Sequence, residues 1–273
     1  MKKNILREKT RRLKSSGKKG LSFFLTGCWP STERFTELLK IIDGEDLADF
    51  VEVGVPFSDP LADGPVIRRA SGEAISSGVT LEKITEAAAD IRNQIKMPLV
   101  LMSYLNVLLA GGIEKNLEAV SGAGFSALII PDLPAEESGS VSGAARRFGI
   151  DTVLLASPST SQERLKMITR RSRPFLYYVS SFGVTGTRPE LPEDLREKLS
   201  LALRVSPCPV YCGFGISSPA QAREVAAFSD GVIIGSALTK KIISSSSGCF
   251  NPVKKFAISI RRQLRKMEDN ARN

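Results

Sequence analysis

Short apolar runs, each followed by a segment with helical spacing, constrain the fold of this chain more than any other feature. Eight such runs, rich in Val, Ile, Leu and aromatic residues, read LSFFL, DFVEVG, PLVLM, ALIIPD, TVLLA, PFLYYV, PVYCGFG and GVIIG. Between them, segments such as TERFTELLKII and TLEKITEAAADI repeat apolar residues every three to four positions. Strands that alternate with helices predict a parallel sheet with right-handed crossovers.

The number of these units favours a closed barrel. Eight strands in a chain of 273 residues fit a (β/α)8 TIM barrel better than a doubly wound open sheet, which usually has fewer strands. We therefore predict an α/β fold, a TIM barrel with an extra N-terminal helix over 3–16 that closes the barrel bottom. We predict a last outer helix over 251–268. No linker divides the chain, so we predict a single domain over 1–273.

Composition limits the classes of partner. The net charge of +9 is concentrated near the two ends, but no aromatic residues interleave with the basic ones there, so we expect solvated helix faces and no nucleic acid. No apolar run reaches the roughly 18 residues of a membrane span, so we expect a cytoplasmic protein with no membrane partner. The chain has four cysteines without CxxC spacing and no histidine, which predicts no metal site.

Glu52 interrupts the second apolar run. Alternation puts Glu52 on one strand face and Val51 and Val53 on the other, and both faces of a barrel strand are buried. Burial raises the pKa of a carboxyl group, as general acid/base catalysis near neutral pH requires. Without any histidine in the chain, Glu52 is a stronger candidate for proton transfer than usual. The alternative is a structural ion pair, but the other strand interiors offer no cation.

A proline-rich loop, FSDPLADGP, follows Glu52. Its prolines restrict the backbone, so the loop can hold Asp63 at a set distance from Glu52, and two carboxylates in one cleft can divide acid and base roles. Taken alone, Asp59 and Asp63 could equally be turn residues that bond their own backbone, and for Asp59 that is the preferred interpretation.

Glycine turns follow the seventh and eighth runs, at GFGIS and GSA. Such turns let backbone N–H groups approach an anion, and two in succession match the usual phosphate position of TIM barrels. Plain tight turns are the alternative. After the sixth run, SSFGVTGTRPELP predicts a mobile lid that excludes water. Tyr177 and Tyr178 lie on opposite faces of that strand, and alternation alone does not decide which of them faces the barrel interior.

Five motifs together resemble those of the tryptophan synthase α subunit family, in register over essentially the whole chain: GVPFSDPLADGP, PDLPAEE, GVTG, GFGIS and GSA. The resemblance implies a TIM-barrel lyase that cleaves indole-3-glycerol phosphate to indole and glyceraldehyde 3-phosphate by a retro-aldol reaction. It also implies an α2β2 complex in which indole passes to a β subunit. No cofactor is expected in this chain, and pyridoxal phosphate is expected in the partner.

The resemblance assigns three catalytic positions. Glu52 corresponds to the family's acid/base, which protonates the indole C3 and accepts the hydroxyl proton as the carbon–carbon bond breaks. Asp63 corresponds to the carboxylate that accepts a hydrogen bond from the indole N–H. Tyr177 matches the family's active-site tyrosine.

Binding positions also follow from the resemblance. Phosphate contacts would come from the backbone of Gly186, Gly215, Gly235 and Ser236. The indole pocket would be lined by Phe24, Ile67 and Phe214. The lid would include Gly183 and Thr185, and the β subunit would contact Asp59 and Asn106.

Three positions depart from the family pattern: Trp29 after the first strand, Val107 after the third and Phe182 in the lid. Bulk at Trp29 and Phe182 would alter the pocket mouth or lid closure. These departures motivate an alternative, a subunit that mainly activates the β subunit with weak or no lyase activity of its own. A second alternative is another sugar-phosphate TIM-barrel enzyme.

Overall fold

A computed structural model describes residues 4–61, 63–179, 194–213, 215–245 and 249–270. Eight parallel strands close into a barrel in which each strand pairs with its sequence neighbours and β1 pairs with β8. The strands are β1 Gly20–Thr26, β2 Phe50–Gly54, β3 Leu99–Met102, β4 Phe125–Ile129, β5 Asp151–Ala156, β6 Leu176–Val179, β7 Val210–Gly213 and β8 Gly231–Ile234. The predicted TIM barrel is confirmed.

Helices surround the barrel and connect successive strands. They are α1 Ile5–Ser15, α2 Thr32–Gly44, α3 Pro65–Ser76, α4 Leu81–Asp90, α5 Leu105–Leu109, α6 Ile113–Gly122, α7 Gly139–Arg147, α8 Gln162–Arg171, α9 Leu195–Val205, α10 Pro219–Ala226, α11 Ser236–Ile243 and α12 Asn251–Asn270. No described helix has the length and apolar character that a membrane span requires.

Short polar side chains fix where several helices begin. In five cases the residue before the helix accepts a hydrogen bond from the backbone N–H three positions later, which satisfies a donor that the helix itself leaves unpaired. These capping residues are Asn4, Ser31, Thr80, Ser161 and Ser218. The helix boundaries are therefore encoded locally.

Strand alternation divides the apolar residues into two cores. One core lies between the outer strand faces and the helices, and the other fills the barrel interior. In the lower interior the rings of Phe50, Phe175 and Tyr211 lie with centroids 4.8 to 5.3 Å apart. Gly20 makes room for this layer, since a Cβ there would lie 2.0 Å from the Tyr211 hydroxyl oxygen.

Helix α1 closes the bottom of the barrel. The Leu6 side chain is fully buried in the interior core, and the Arg7 guanidinium forms an ion pair with Asp151 at the start of β5. Lys14 forms a second ion pair, 3.0 Å from Nζ to an oxygen of Asp230 just before β8. The predicted N-terminal helix and its position are thereby confirmed, and the interior is sealed from water on this side.

Replacing Leu6 with alanine tests how much the barrel depends on this closure. Leu6→Ala leaves a cavity under the aromatic layer, and we expect the free energy of unfolding to fall by about 2 to 5 kcal/mol. Ile5→Ala is the matched control because Ile5 is 39% exposed on the same helix, and it should cost less than about 1 kcal/mol. Urea denaturation measures both values, and equal losses would contradict the role of Leu6 as a seal.

Candidate active site

A cleft opens at the C-terminal ends of the strands. Seven of the residues that the sequence analysis singled out line it: Phe24, Asp63, Ile67, Tyr177, Gly215, Gly235 and Ser236. Met102, Ile216 and Ile233 complete the lining, and sequence reasoning did not find them. Met102 and Ile233 could have been found from alternation, because they follow Val100 and Gly231 by two positions on inward strand faces.

Glu52 lies fully buried on the inward face of β2. In strand register it sits beside Phe24 on β1 and Val100 on β3, and both neighbours belong to the interior core. Neither of its carboxyl oxygens has a hydrogen-bond partner among the described residues. Loss of water on burial raises the Glu52 pKa well above its ordinary value of 4.5, which favours the protonated form of the group.

Asp63 occupies the end of the loop that follows β2. Gly64 is the N-cap of α3 and Pro65 is its first residue, so the backbone around Asp63 is fixed by a helix start. Burial raises the pKa of Asp63 to about 6, against the opposing effect of the Arg68 charge. Asp63 is therefore mainly ionised at neutral pH, whereas burial favours the protonated form of Glu52.

Tyr177 is the strand-six tyrosine that faces the barrel interior, and Tyr178 packs in the outer core. Burial is the main cause that raises the Tyr177 pKa well above 10, and a negative charge on Glu52 or on Asp63 would raise it further. Tyr177 is thus close enough to each carboxyl group to interact with it. Gly213 on β7 leaves the space, since a Cβ there would lie 2.6 Å from the Tyr177 hydroxyl oxygen.

The other side of the cleft is formed by glycine-rich backbone and not by charged side chains. Gly235 precedes α11 without a side-chain cap, so the first N–H groups of that helix remain open to a ligand at Gly235 and Ser236. Gly215 has a φ of +81°, a conformation that favours glycine. The arrangement suits an anion bound at a helix N-terminus.

The turn at Gly235 adjoins the apolar wall. A Cβ at Gly235 would lie 3.4 Å from the Phe24 Cβ and 3.5 Å from the Ile67 Cδ1. One ligand can therefore place an anionic group at the glycine turns and an apolar ring against Phe24 and Ile67.

Four predicted site residues lie outside the described residues: Gly183, Thr185, Gly186 and Phe214. The same holds for Phe182 and for the whole predicted lid. Their roles stay predictions.

An exposed surface lies beside the cleft, formed by the loops after β2 and β3. Phe57 of the first loop stacks on Tyr104 of the second with ring centroids 4.8 Å apart. Asp59 and Asn106 are exposed there, as are Leu61 (82%) and Leu109 (49%). Two large apolar side chains left in solvent on neighbouring loops are typical of a protein contact surface.

The departures at Trp29 and Val107 fall in the outer layer. Trp29 is buried, and its Nε1 donates a hydrogen bond of 2.9 Å to Glu73 on α3. Val107 packs against the outer core. Trp29 thus packs on the helix side of the first strand, whereas a change at the pocket mouth was expected.

Comparisons with known proteins agree with this geometry. The family model for the tryptophan synthase alpha chain matches residues 10–271. A curated tryptophan synthase alpha chain from Picosynechococcus sp. is 40% identical over 259 residues, which cover 94% of this chain and 98% of the relative.

Solved structures give the same result. A structure of Mycobacterium tuberculosis tryptophan synthase superposes with a TM-score of 0.87 at 30% identity, covering 96% of this chain and 98% of that one. A structure of the tryptophan synthase α2β2 complex from Pyrococcus furiosus has a TM-score of 0.82 at 31% identity, covering 89% of this chain and 98% of that one. The comparisons support the first of the three functions predicted from the sequence and give no support to the two alternatives.

The buried carboxyl group predicts a pH-dependent difference in stability between Glu52→Gln and the wild type. Because the folded pKa of Glu52 is raised, the folded protein keeps a proton that the unfolded chain releases above about pH 4.5, so the wild type loses stability as pH rises. The variant has no such group. The free energy of unfolding of Glu52→Gln, relative to that of the wild type, should therefore increase between about pH 5 and 8. The increase should be about 1.4 kcal/mol for each unit by which the Glu52 pKa is raised within this range.

Urea denaturation at several pH values measures this difference. The exposed Glu86 on α4 supplies the control, since Glu86→Gln makes the same chemical change in solvent and should show no such trend. A flat difference for Glu52→Gln would contradict a neutral buried carboxyl group.

Proposed function

Because the chain belongs to the tryptophan synthase alpha chain family, we propose that it cleaves indole-3-glycerol phosphate to indole and glyceraldehyde 3-phosphate. The observation that carries the proposal is the fully buried, unpaired Glu52 carboxyl, with its raised pKa, beside a cleft that Asp63 lines. Two carboxyl groups with pKa values set apart by their surroundings can serve as acid and as anion at the same pH.

Glu52 acts as the proton carrier in this proposal. Its neutral form donates a proton to the indole C3, which makes the ring a cationic electron sink. The resulting carboxylate accepts the proton of the side-chain hydroxyl while the bond from C3 to the glycerol carbon breaks. The bonding electrons return to the indole ring, the hydroxyl carbon becomes the aldehyde, and Glu52 is neutral again.

Asp63 stabilises the positive charge that develops on the indole ring. Its carboxylate would accept a hydrogen bond from the indole N–H, and the attraction strengthens as C3 is protonated. The apolar side chains of Phe24, Ile67 and Met102 in the cleft lining would hold the ring. Tyr177 is close enough to each of the two carboxyl groups for their charges to affect its pKa, and it would position the reacting end of the substrate.

The phosphate group would bind at the glycine turns. The N–H groups at Gly235 and Ser236 begin α11, and Gly215 lines the same side of the cleft. Gly186 would add a contact from the predicted lid, and Phe214 a further wall of the indole pocket. Binding energy from this remote group would orient the indole against Glu52.

A β subunit is the proposed partner, in an α2β2 complex of the kind that the Pyrococcus furiosus structure names. The exposed surface with Asp59, Leu61, Asn106 and Leu109 would contact it, because this surface adjoins the cleft from which indole leaves. Each subunit would modulate the other through these loops. Pyridoxal phosphate would belong to the β subunit, and the chemistry proposed here needs no cofactor in this chain. We propose that the complex works in the cytoplasm.

Indole release by the purified chain tests the catalytic roles. Glu52→Gln should reduce the rate by at least about 10²-fold, since it removes the proton carrier, and Asp63→Asn by a similar factor. The acid limb of kcat/KM should have an apparent pKa near 6, because Asp63 must be ionised. Glu86→Gln is the control and should keep full activity. Full activity in Glu52→Gln would contradict the proposal.

The partner surface is tested by binding to the β subunit. Leu61→Lys puts a charge at the centre of the proposed contact and should raise the dissociation constant at least about tenfold. Ile258→Lys makes the same change at an exposed apolar position on α12 and should leave it unaltered. Calorimetric titration measures both constants, and equal effects would place the contact elsewhere.

A further inference from the structure

A second large concavity lies outside the barrel, between α7, α8 and the start of β5. It is open to solvent and is lined by four exposed arginines, Arg146, Arg170, Arg171 and Arg173, together with serines at and within α7 and Thr152 of β5. We call it the arginine groove. It lies at the N-terminal end of β5, whereas the catalytic cleft lies at the C-terminal strand ends.

The positive charge of the arginine groove is not balanced by acids. Among the residues that the structure describes, Arg146, Arg170 and Arg173 have no carboxylate within ion-pair distance. The acid that lines the groove, Asp151, is already neutralised by its ion pair with Arg7 of α1. The groove therefore keeps an excess of positive charge.

Neighbouring arginines on the same two helices behave differently. Arg147 pairs with Glu114, and Arg164 pairs with Glu136 through two hydrogen bonds of 2.7 and 3.0 Å. Carboxylates thus form ion pairs with these two arginines outside the groove, whereas Arg146, Arg170 and Arg173 have no such pair among the described residues. Arginines in the last turns of α7 and α8 interact favourably with the negative ends of the helix dipoles. Arg173 lies beyond the end of α8, so this interaction does not explain its presence.

Thr152 forms part of the groove floor. It is 6% exposed on the outward face of β5, and its hydroxyl oxygen is covered and has no hydrogen-bond partner among the described residues. The charge of the groove therefore comes from the arginines of its rim and not from this part of its floor.

Arg171 shows how the groove is kept open. Its Nη1 donates a hydrogen bond of 2.7 Å to the Ala135 carbonyl oxygen, which ties the end of α8 to the turn before α7. With Arg171 fixed, the guanidinium groups of Arg170 and Arg173 remain for a ligand, as do the two terminal nitrogens of Arg146, whose Nε donates a hydrogen bond of 3.3 Å to the Ser142 carbonyl oxygen. Planar guanidinium groups bind phosphate oxygens in pairs, which distinguishes them from lysines.

We propose that the arginine groove binds a small anion that carries two or more phosphate groups, such as pyrophosphate, triphosphate or the phosphates of a nucleotide. Arg146, Arg170 and Arg173 donate hydrogen bonds to its phosphate oxygens and neutralise its charge. This site is separate from the catalytic cleft. The proposal is therefore independent of whether the catalytic cleft carries out the proposed lyase reaction.

Calorimetric titration of the full chain with pyrophosphate and with triphosphate tests the site. Glycerol 3-phosphate is present in excess, so that any phosphate position in the catalytic cleft is filled. We expect one molecule bound per chain, with an affinity that falls as salt is raised. Arg170→Ala combined with Arg173→Ala should weaken binding at least tenfold. Thr152→Val, which keeps the shape of the side chain and removes only the covered hydroxyl beneath the groove, should change the affinity less than twofold.

A charge-matched control separates a site from general attraction. Arg11→Ala combined with Arg12→Ala removes the same charge from the exposed face of α1, and binding should change less than twofold. Equal weakening in both double variants would overturn the proposal, as would the absence of saturable binding of either anion. Binding of a short RNA without binding of triphosphate would overturn it as well, because it would replace a small-anion site by a nucleic-acid surface.

Discussion

The exclusion of water from the Glu52 carboxyl group is the constraint on which the rest of the structure depends. Its strand neighbours Phe24 and Val100 flank it, the layer of Phe50, Phe175 and Tyr211 fills the lower interior, and Leu6 seals the bottom. Each of these contacts stabilises the barrel, and together they raise the pKa of Glu52 well above its ordinary value, while Asp63, nearer the surface, has a pKa of about 6. Packing and acid–base chemistry therefore rest on the same side chains.

The fold could be predicted from local signals because this architecture repeats one unit. Eight apolar runs and the helical spacing between them gave the barrel, and Ser or Thr capping residues mark several helix starts. Helix α3 was not predicted, since its start follows a proline-rich loop that reads as irregular structure. Helix α7 begins at Gly139, later than its sequence pattern indicated, because residues 134–137 form a turn with a hydrogen bond from the Glu137 N–H to the Pro134 carbonyl.

The candidate site was predictable in its chemistry and less so in its geometry. Glu52 stood out because an acid inside an apolar strand is costly, and Asp63 because prolines fix its loop. Only the family resemblance or the structure itself could show that Tyr177 points into the barrel, because alternation does not indicate which strand face is the inner one. The arginine groove gave no sequence signal at all, because Arg146 and Arg173 meet only through the packing of α7 against β5 and α8.

The glycines of the barrel wall tie the evolution of the scaffold to that of its chemistry. The Tyr177 hydroxyl lies in the space that a side chain at Gly213 would fill, and the Phe24 ring lies in the space that a side chain at Gly54 would fill. Substitutions at these pairs are therefore not independent: a lineage that gains a methyl group at one position must first lose the ring at the other. Sequence drift in this part of the wall would proceed by exchange of pairs, with a defective intermediate between them, and the interior would change more slowly than its burial alone would require.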